Sequence, residues 1–377
     1  MKKPWLIFWI VLWSLAGNAQ SLMSGFRASR LLGNYPNNTF PTPQYWTSVG
    51  EQMSAKFDNS TPAAIWIVGL YQDNGYCSLS FPNPTGETYD HIYFSSYDKD
   101  EAYLMHFDTT GIKVFLQVES GDAEIGDLMD LVLGHYGTHS CVIGFGVDVE
   151  WYHTNLYSGG EPVSDSLSEA WEMKMKTFDS TYTLFLKHYT TNRMPPVYRG
   201  DILFVDDSQG FGFANNPLEY MVYEYGNWAA TFAPNLSAFQ FGYPGDQSWW
   251  SAFEDPPAHI GQALLDDIPS CGGLFWVDFT VTDVFPLGVK KPLSFEKKIR
   301  LTNPVQGLIR CQVIDFDKQK LKWSLQDLNA KIIATGERLI NGNNDAFSIS
   351  CGQLPPAYYV LHISVDGKQK SYKIFIR

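Results

Sequence analysis

The chain has 377 residues, of which 45% are hydrophobic and 15% aromatic, so it can bury a large core and its composition argues against disorder. Its 40 acidic residues against 27 basic ones give a formal charge of -13. Nucleic acid and anionic membranes do not attract a net acidic protein, which argues against either as the main partner.

The N-terminus has the three parts of a secretory signal, which we assign to residues 1–19. Lys2 and Lys3 supply the positive charge, an apolar run extends from Trp5 to Ala16, and Gly17-Asn18-Ala19 forms a small-residue cleavage site. The run is too short for a comfortable membrane span, and no later segment is long and apolar enough for one. We therefore expect an exported protein with no membrane span in the mature chain.

After a lead-in over residues 20–60 that we expect to pack on the next domain, apolar runs alternate with helical segments as far as residue 290. The runs lie at 63–71, 91–96, 113–120, 141–152, 182–189, 201–207, 236–243 and 272–280. Helical periodicity is clear over 123–135, 165–178, 218–232 and 259–268. Eight strand-like runs in about 220 residues predict an α/β fold, a (β/α)8 TIM-type barrel over residues 61–290. An open doubly wound sheet is the alternative.

Two connections of this barrel are predicted to lack a full helix. The first, over residues 72–90, is rich in Pro and Gly. The second separates the fifth and sixth runs by only about eleven residues and contains Met194-Pro195-Pro196, which a helix does not tolerate.

The fourth run carries the most informative pattern of the chain. Over residues 144–150, apolar side chains at the odd positions point to one side of a strand, and two glycines followed by Asp148 and Glu150 point to the other. Glycines allow close packing beneath, and the carboxyl ends of barrel strands are where active sites lie. We therefore predict that Asp148 and Glu150 are catalytic, and a solvent-facing edge strand is the alternative.

Other polar residues are predicted to gather at the same end of the barrel and to bind substrate. They are Gln117 and Glu119 in the third run, Asp206 and Asp207 in the sixth, Gln240 and Tyr243 in the seventh, and Trp276 and Asp278 in the eighth. Such groups are costly to bury, and clustered carboxylates raise one another's pKa values. We expect one of the adjacent aspartates to face inward and the other to cap the following loop.

Lys187 is expected to pair with a carboxylate, and His188 to be a core or rim histidine. A metal site formed by Asp206, Asp207 and Asp246 is an alternative that no ligand spacing supports. We therefore expect neither a metal nor a cofactor.

Three short motifs resemble family 18 glycoside hydrolases, the chitinases and their relatives. Lys113–Ser120 resembles their third strand, Ile143–Glu150 their fourth-strand signature D-G-x-D-x-D-x-E, and Gly272–Asp278 their last strand. The resemblance implies that Glu150 protonates the glycosidic oxygen while Asp148 orients the substrate's own N-acetyl group, which attacks the anomeric carbon.

The first two Asp positions of that signature hold Ile143 and Gly146 instead. The loss of the inner Asp removes a partner for Asp148 and puts the family mechanism in question. The intact Asp148-x-Glu150 pair nevertheless favours an enzyme.

Beyond Pro292 the character of the sequence changes to short alternating segments separated by Asn, Gly and Pro turns. Residues 298–377 are therefore predicted to form a small β-sandwich. The chain has five cysteines, an odd number that leaves at least one unpaired. Cys311 and Cys351 could bridge within this domain, which the sequence leaves open.

The pieces Asn303–Gly307, Trp323–Lys331 and Leu354–Arg377 resemble the type A sorting domain of bacterial type IX secretion. The resemblance implies a tail without catalytic function, which interacts with the secretion machinery and directs the protein across the outer membrane. The alternative is an unrelated β-sandwich that binds a ligand.

Together these patterns predict a secreted or cell-surface glycoside hydrolase-like protein that acts on an extracellular polysaccharide. Two alternatives stay open. One is a non-catalytic carbohydrate-binding barrel, and the other is a surface interaction protein that uses the barrel as a scaffold. The absent outer Asp residues of the signature favour these alternatives.

Overall fold

The computed structural model describes residues 22–287 without a break and, further on, residues 299–301, 305, 307–314, 320–328, 331–340, 344–365 and 368–377. The predicted signal over residues 1–19 and the predicted change of character at Pro292 lie outside the described residues. The chain divides into two compact units, Met1–Leu287 and Gly288–Arg377.

Eight parallel strands of the first unit close into a barrel, because its first strand pairs with both the second and the last. In chain order, the strands of this sheet are β1 (Met23–Ala28), β2 (Thr61–Gln72), β3 (Tyr76–Leu79), β4 (Ile92–Phe94), β5 (Lys113–Val118), β6 (Val142–Asp148), β7 (Thr183–Lys187), β8 (Ile202–Asp206), β9 (Ser237–Phe241) and β10 (Cys271–Trp276). All except β3 and β4 belong to the closed ring. The predicted TIM-type α/β barrel is thereby confirmed.

The helices described in the first unit are α1 (Pro43–Ser54), α2 (Glu101–Thr110), α3 (Ile125–Tyr136), α4 (Asp165–Lys176), α5 (Pro217–Phe232), α6 (Gln247–Trp250), α7 (Pro256–Asp267) and α8 (Val281–Val284). Of these, α3, α4, α5 and α7 lie where the sequence periodicity predicts helices, and the other four were not predicted. Local signals fix their starts: Ser164 caps α4, and Asn216 caps α5 ahead of a proline at the first helical position. Between β7 and β8 the chain forms only a short 3-10 turn, as predicted.

One of the eight predicted barrel strands is wrong, and one strand of the ring was not predicted. The first barrel strand is β1, which lies in the segment expected to be a lead-in and against which α1 packs. Of residues 91–96, only Ile92–Phe94 are extended, and they pair with β3, a strand that turns back antiparallel on β2. The ring closes around β1 because that strand can pair on both edges, whereas β4 pairs on one.

The barrel interior is a packed floor rather than a pore. It consists of Ala63, Ile65, Phe115, Phe185, Leu203, Val205, Ala238 and Phe275. Gly144 and Gly146 make room for two of these rings: a Cβ at Gly146 would lie 1.9 Å from Phe185, and one at Gly144 would lie 3.0 Å from Phe115. The two glycines of the fourth run therefore provide space for the floor on which the polar residues rest.

The described residues of the second unit form two antiparallel sheets. Its strands are β11 (Ile299–Leu301), β12 (Leu308–Ile314), β13 (Lys320–Gln326), β14 (Ile332–Leu339), β15 (Asn344–Ser350), β16 (Ala357–Val365) and β17 (Lys368–Ile376). The sheet orders are β11-β12-β15 and β14-β13-β16-β17, with a shared apolar core.

The disulfide that the sequence left open does not form, and Cys311 and Cys351 are both free thiols. The Cys351 backbone N–H donates to the Gly307 carbonyl, so Cys351 lies level with Gly307. Gly307 is four residues before Cys311 in the same extended segment. At about 3.3 Å per residue, the two positions are roughly 13 Å apart, beyond the reach of a disulfide. No helix among the described residues of the chain is long and apolar enough to cross a membrane.

Candidate active site

Six charged side chains meet above the packed floor, and we call them the inner charged layer. They are Arg27, Glu119, Asp148, Lys187, Asp207 and Asp278, each at or just beyond the carboxyl end of a different barrel strand. All six side chains are more than nine-tenths buried. Burial at this density requires that the charges pair with one another.

Arg27 and Asp278 form the first half of the layer. The Arg27 Nη1 atom lies 2.7 Å from Asp278 Oδ1. The other Asp278 oxygen accepts hydrogen bonds from the Ser29 backbone N–H at 2.9 Å, the Ser29 hydroxyl at 2.7 Å and the Tyr35 hydroxyl at 2.8 Å. Asp278 is therefore fully engaged in joining the ends of β1 and β10.

Glu119 lies beside this pair with weaker partners. One of its oxygens is 3.7 Å from Arg27 Nη2, and the other accepts a hydrogen bond from the Tyr71 backbone N–H at 3.2 Å. Burial and the charge of Asp148 raise the pKa of Glu119 to about 7, against the opposing effect of Arg27. Partial protonation of Glu119 near neutral pH reduces the excess of carboxylates over cations in the layer.

Lys187 forms the second half of the layer by bridging two aspartates. Its Nζ lies 2.8 Å from Asp148 Oδ2 and also donates to Asp207 Oδ2. Gln117 Nε2 donates to the same Asp148 oxygen at 3.4 Å. Burial lowers the pKa of Lys187, but the two carboxylates outweigh that effect and raise it well above its ordinary value. Lys187 is thus a fixed cation between the two aspartates.

Glu150 lies on the rim of the mouth, not on the strand face predicted for it. Strand β6 ends at Asp148, and Val149–Trp151 forms a 3-10 turn, so the alternation of side chains stops one residue before Glu150. Glu150 is half-buried, and it has no hydrogen-bond or ion-pair partner among the residues that the structure describes. Burial, followed by the charge of Asp148, raises its pKa to about 7.

An aromatic pair flanks this rim and was not predicted. The rings of Tyr71 and Trp151 stack with centroids 4.7 Å apart and an interplanar angle of 25°. Both side chains are half-buried, and the Tyr71 hydroxyl donates to Asn155 at 3.0 Å. Trp151 directly follows Glu150 in the 3-10 turn, so the pair lies beside the segment that carries Glu150.

Several polar atoms of the mouth are buried and have no hydrogen-bond partner within the described part of the chain. They are Gln117 Oε1, Asp148 Oδ1, Asp207 Oδ1, Gln240 Nε2 and Arg27 Nε. The Tyr243 hydroxyl donates to Gln240 Oε1 at 3.4 Å, so the two predicted residues of the seventh run are buried together. The mouth therefore has unused donors and acceptors that could bind the hydroxyl or amide groups of a substrate.

Two predicted site residues lie outside the barrel interior. Asp206 accepts hydrogen bonds from the Ser208 backbone N–H at 2.8 Å and its hydroxyl at 2.6 Å, and burial raises the pKa of Asp206 to about 8. Trp276 is fully buried on the outer side of β10, against Phe241 and Trp250, and donates to the Thr280 hydroxyl. Strand β10 ends at Trp276, so the alternation of side chains that predicted Trp276 and Asp278 on one face stops there. Asp278 points into the barrel, whereas Trp276 does not.

The carboxylates of the alternative metal site do not converge. Asp246 accepts from the backbone N–H groups of Gly210 at 2.8 Å and Phe211 at 2.7 Å, and from the Trp249 indole at 2.9 Å. Within the described parts of the chain, no group of three or more His, Cys, Asp and Glu side chains is arranged to hold a metal ion.

Arg27 is the charged residue of the layer that the sequence analysis missed. The sequence of β1 does contain a signal for it. Gly25 and Arg27 alternate with the apolar Phe26 and Ala28, as glycines and acids alternate with apolar residues in the fourth run. The strand is short and directly follows the predicted leader, which obscured the pattern.

Comparison with known proteins gave neither a matching family model nor a matching curated protein. Several solved structures are similar, and they include TIM-barrel glycoside hydrolases. An FMN-binding β-glucuronidase from Faecalibacterium prausnitzii has 11% identity and a TM-score of 0.42, over 96% of this chain and 57% of that one. A Bacteroides uniformis β-glucuronidase has 12% identity and a TM-score of 0.41, over 95% and 46%.

An endo-fucoidan hydrolase of glycoside hydrolase family 107 has 8% identity and a TM-score of 0.41, over 94% of this chain and 66% of that one. The chain thus spans less than two thirds of the length of each of these proteins. The similarity concerns the fold alone.

Proposed function

We propose that this chain is a glycoside hydrolase that acts on an extracellular polysaccharide, with Glu150 as its general acid. The observation that carries the proposal is the contrast at the end of β6. Asp148 is buried and fixed by Lys187, whereas Glu150, two residues later, is half-buried, unpaired among the described residues and has a pKa of about 7. Such a group keeps a proton near neutral pH and can deliver it to a glycosidic oxygen.

The pairing of the other acids favours a substrate that supplies its own nucleophile. Among the described carboxylates of the mouth, Glu119, Asp148, Asp207 and Asp278 all have cationic or hydrogen-bonding partners. A mechanism with two protein carboxylates needs a second one that can act as nucleophile or base beside Glu150. Attack by a substrate N-acetyl group needs only an acid and an orienting acceptor, which agrees with the resemblance to family 18.

Asp148 is suited to the orienting role because only one of its oxygens is occupied. Oδ2 accepts from Lys187 and Gln117, whereas Oδ1 is buried without a protein partner. We propose that Oδ1 accepts the N–H of the substrate's N-acetyl group and thereby positions its carbonyl oxygen for attack. Lys187 then takes the place of the missing signature Asp as the group that holds Asp148.

A non-catalytic carbohydrate-binding barrel is the second candidate. The observation that favours it is the closure of the inner charged layer, in which four carboxylates and two cations are almost completely buried. A glycan could then contact only the rim, through the stacked Tyr71 and Trp151.

The test is hydrolysis of a panel of soluble glycans, including N-acetylglucosamine oligomers, by wild-type protein and by Glu150→Gln. General acid catalysis contributes about 10²–10⁴-fold, so we expect a loss of that order with glycan binding retained. Glu161→Gln is the matched control, because Glu161 lies on the same loop but pairs with His153 at 2.6 Å. Turnover of a substrate by Glu150→Gln at the wild-type rate would contradict the proposal, and binding without cleavage by the wild-type protein would favour the second candidate.

We further propose that the predicted signal exports the protein, and that the C-terminal unit is a type A sorting domain that engages the type IX machinery. The proposal is supported by the sequence of the tail and by its separation as a compact unit. Deletion of residues 305–377 should leave the barrel folded but prevent its appearance outside a bacterium that has this machinery. Normal surface delivery of the truncated protein would contradict it.

A further inference from the structure

A row of exposed aromatic side chains lies on the connection from β8 to α5 and on the first turns of that helix. Phe213 is 74% exposed and Tyr223 is 62% exposed. Tyr220 lies between them, with ring centroids 5.1 Å from Phe213 and 6.2 Å from Tyr223. We call these three residues the aromatic platform. Adjacent exposed rings of this size mark a binding surface more often than a scattered exposed leucine does.

The loop that carries Phe213 is held rigidly from below. Asp246, which is almost completely buried, accepts from the backbone N–H groups of Gly210 and Phe211. Phe211 packs in the core, and the Tyr225 hydroxyl donates to the Ser208 carbonyl at 3.0 Å at the start of the same loop. The exposed ring is thus preorganised, which lowers the entropy that a ligand must overcome on binding.

A groove with apolar walls and polar edges continues from Tyr223 of the platform. A cavity of about 580 Å³ lies between α5 and α7 beside Tyr223, and its edges carry Asn216, Glu219, Asn227 and Asp267. Gly226 keeps the groove open, since a Cβ there would meet nothing within 4 Å. The surface therefore offers ring faces together with amide and carboxylate groups, as sugar rings with their apolar faces and hydroxyl groups require.

We propose that the aromatic platform is a second binding site, for a neutral polysaccharide chain, beside the barrel mouth. The occupant is neutral because Glu219 and Asp267 border the groove and the whole chain is strongly acidic, so a uronate or sulfated polymer would be repelled. The loop that carries Phe213 begins directly after Asp207 of the inner charged layer, at the end of the barrel that carries the candidate site. The platform's role of holding the polymer near the mouth rests on the proposed function.

The test is affinity electrophoresis of the full chain in gels that contain hydroxyethyl cellulose, glycol chitin, xylan or dextran, with alginate as an anionic polymer. Glu150→Gln serves as the parent protein so that no polymer is cleaved. We expect at least one neutral polymer to retard the parent, and the double substitution Phe213→Ala and Tyr223→Ala to weaken that retardation about tenfold. Tyr97→Ala, at an equally exposed tyrosine before α2, should migrate as the parent does.

Gly226→Gln gives an independent test, because it fills the groove without removing an aromatic ring and suits a helix better than glycine. It should weaken retardation while leaving the melting temperature unchanged or higher. The proposal is overturned if no neutral polymer retards the parent, if alginate alone does, or if both platform variants bind as the parent does. A dimer in light scattering that the platform substitutions abolish would also overturn it, in favour of a second copy as occupant.

Platform-dependent retardation without any hydrolysis by the wild-type protein would support the platform and contradict the proposed enzymatic function, so the two failures are distinguishable.

Discussion

Acidic side chains of the inner charged layer are held by ion pairs and hydrogen bonds, whereas the acid on the rim of the barrel mouth is not held in this way by any residue that the structure describes. In the layer, Asp148 and Asp207 share Lys187, and Asp278 is held by Arg27 and three hydrogen bonds. On the rim, Glu150 is half-buried and has no partner among the described residues.

The difference shows how two acids two residues apart can behave differently. Asp148 is paired with a cation, whereas Glu150 has a raised pKa and keeps its proton to higher pH. Burial raises the pKa of Asp148 and Lys187 opposes that rise, so Lys187 favours the ionised form of Asp148. Burial is the first cause of the raised pKa of Glu150, and the charge of Asp148 adds to it. The structural part of the mouth therefore sets the chemistry of the exposed part. Substitutions that break one side of this relation and leave the other intact test it.

The largest effect is expected from Lys187→Met, which leaves Asp148 and Asp207 buried without their cation. Breaking a buried ion pair in this way costs about 3–5 kcal/mol of the free energy of unfolding. The matched control is Lys176→Met, which removes a partly exposed pair with Asp201 and should cost less than about 1 kcal/mol. Chemical denaturation at pH 7 measures both, and equally small losses would show that the layer does not depend on this pair.

A smaller loss is expected from Gly146→Ala, which tests the floor beneath the layer. The new Cβ would lie 1.9 Å from the Phe185 ring, so the ring must move. Overpacking of this kind costs about 1–3 kcal/mol. Gly134→Ala in α3, where a Cβ meets nothing within 4 Å, should instead stabilise by about 0.5–1 kcal/mol. Thermal unfolding of the two variants would contradict the packed floor if their melting temperatures shifted in the same direction.

The smallest change, and one of opposite sign, is expected from Glu150→Gln on the rim. The native pKa of about 7 lies above the ordinary value of 4.5, so between these values the unfolded chain loses a proton that the native state keeps. Wild-type stability therefore falls as pH rises from 4.5 to 7 and the loss is complete above 7. Removing the group should stabilise the protein by about 1–2 kcal/mol at pH 8, after allowance for solvent screening, and by nothing at pH 4.

Denaturant titrations of wild type and Glu150→Gln at both pH values measure this difference. Glu161→Gln, which loses a pair with His153 on the same loop, should show no such gain at pH 8. Equal stability of Glu150→Gln and wild type at pH 8 would mean that burial does not disfavour the ionised group.

The sequence predicted most of the barrel because seven of its strands are apolar runs separated by clear helices or turns. It missed β1 because six residues after a leader are too few to show a period, and the strand is defined by pairing on both sides once the ring closes. Ring closure is a long-range property that no local window contains. The prediction of a barrel strand at residues 91–96 was wrong for the same reason. Their strand, β4, pairs only with β3 among the described strands, and that pairing cannot be seen in a local window.

The candidate site followed the sequence as far as strand periodicity extends. Gln117 and Asp148 lie on strands and face inward as their parity indicates. Trp276 and Glu150 depart from prediction because the alternation of a strand was extrapolated to or beyond the residue at which the strand ends and the chain turns. Which acids are paired depends on Arg27 and Lys187, whose partners come from distant strands, and that pairing could be read only from the folded structure.

The central claim is that Glu150 retains its proton near neutral pH because it is half-buried and unpaired among the described residues, and because the charge of Asp148 adds to the effect of burial. A carbon-detected NMR titration of glutamate carboxyl groups tests it directly, with Glu150 assigned by the signal absent from Glu150→Gln and distinguished in this way from Glu119. The account predicts a midpoint of about 7, which should fall in Asp148→Asn because the neighbouring charge is removed. A midpoint near the ordinary 4.5, or one that Asp148→Asn leaves unchanged, would contradict it.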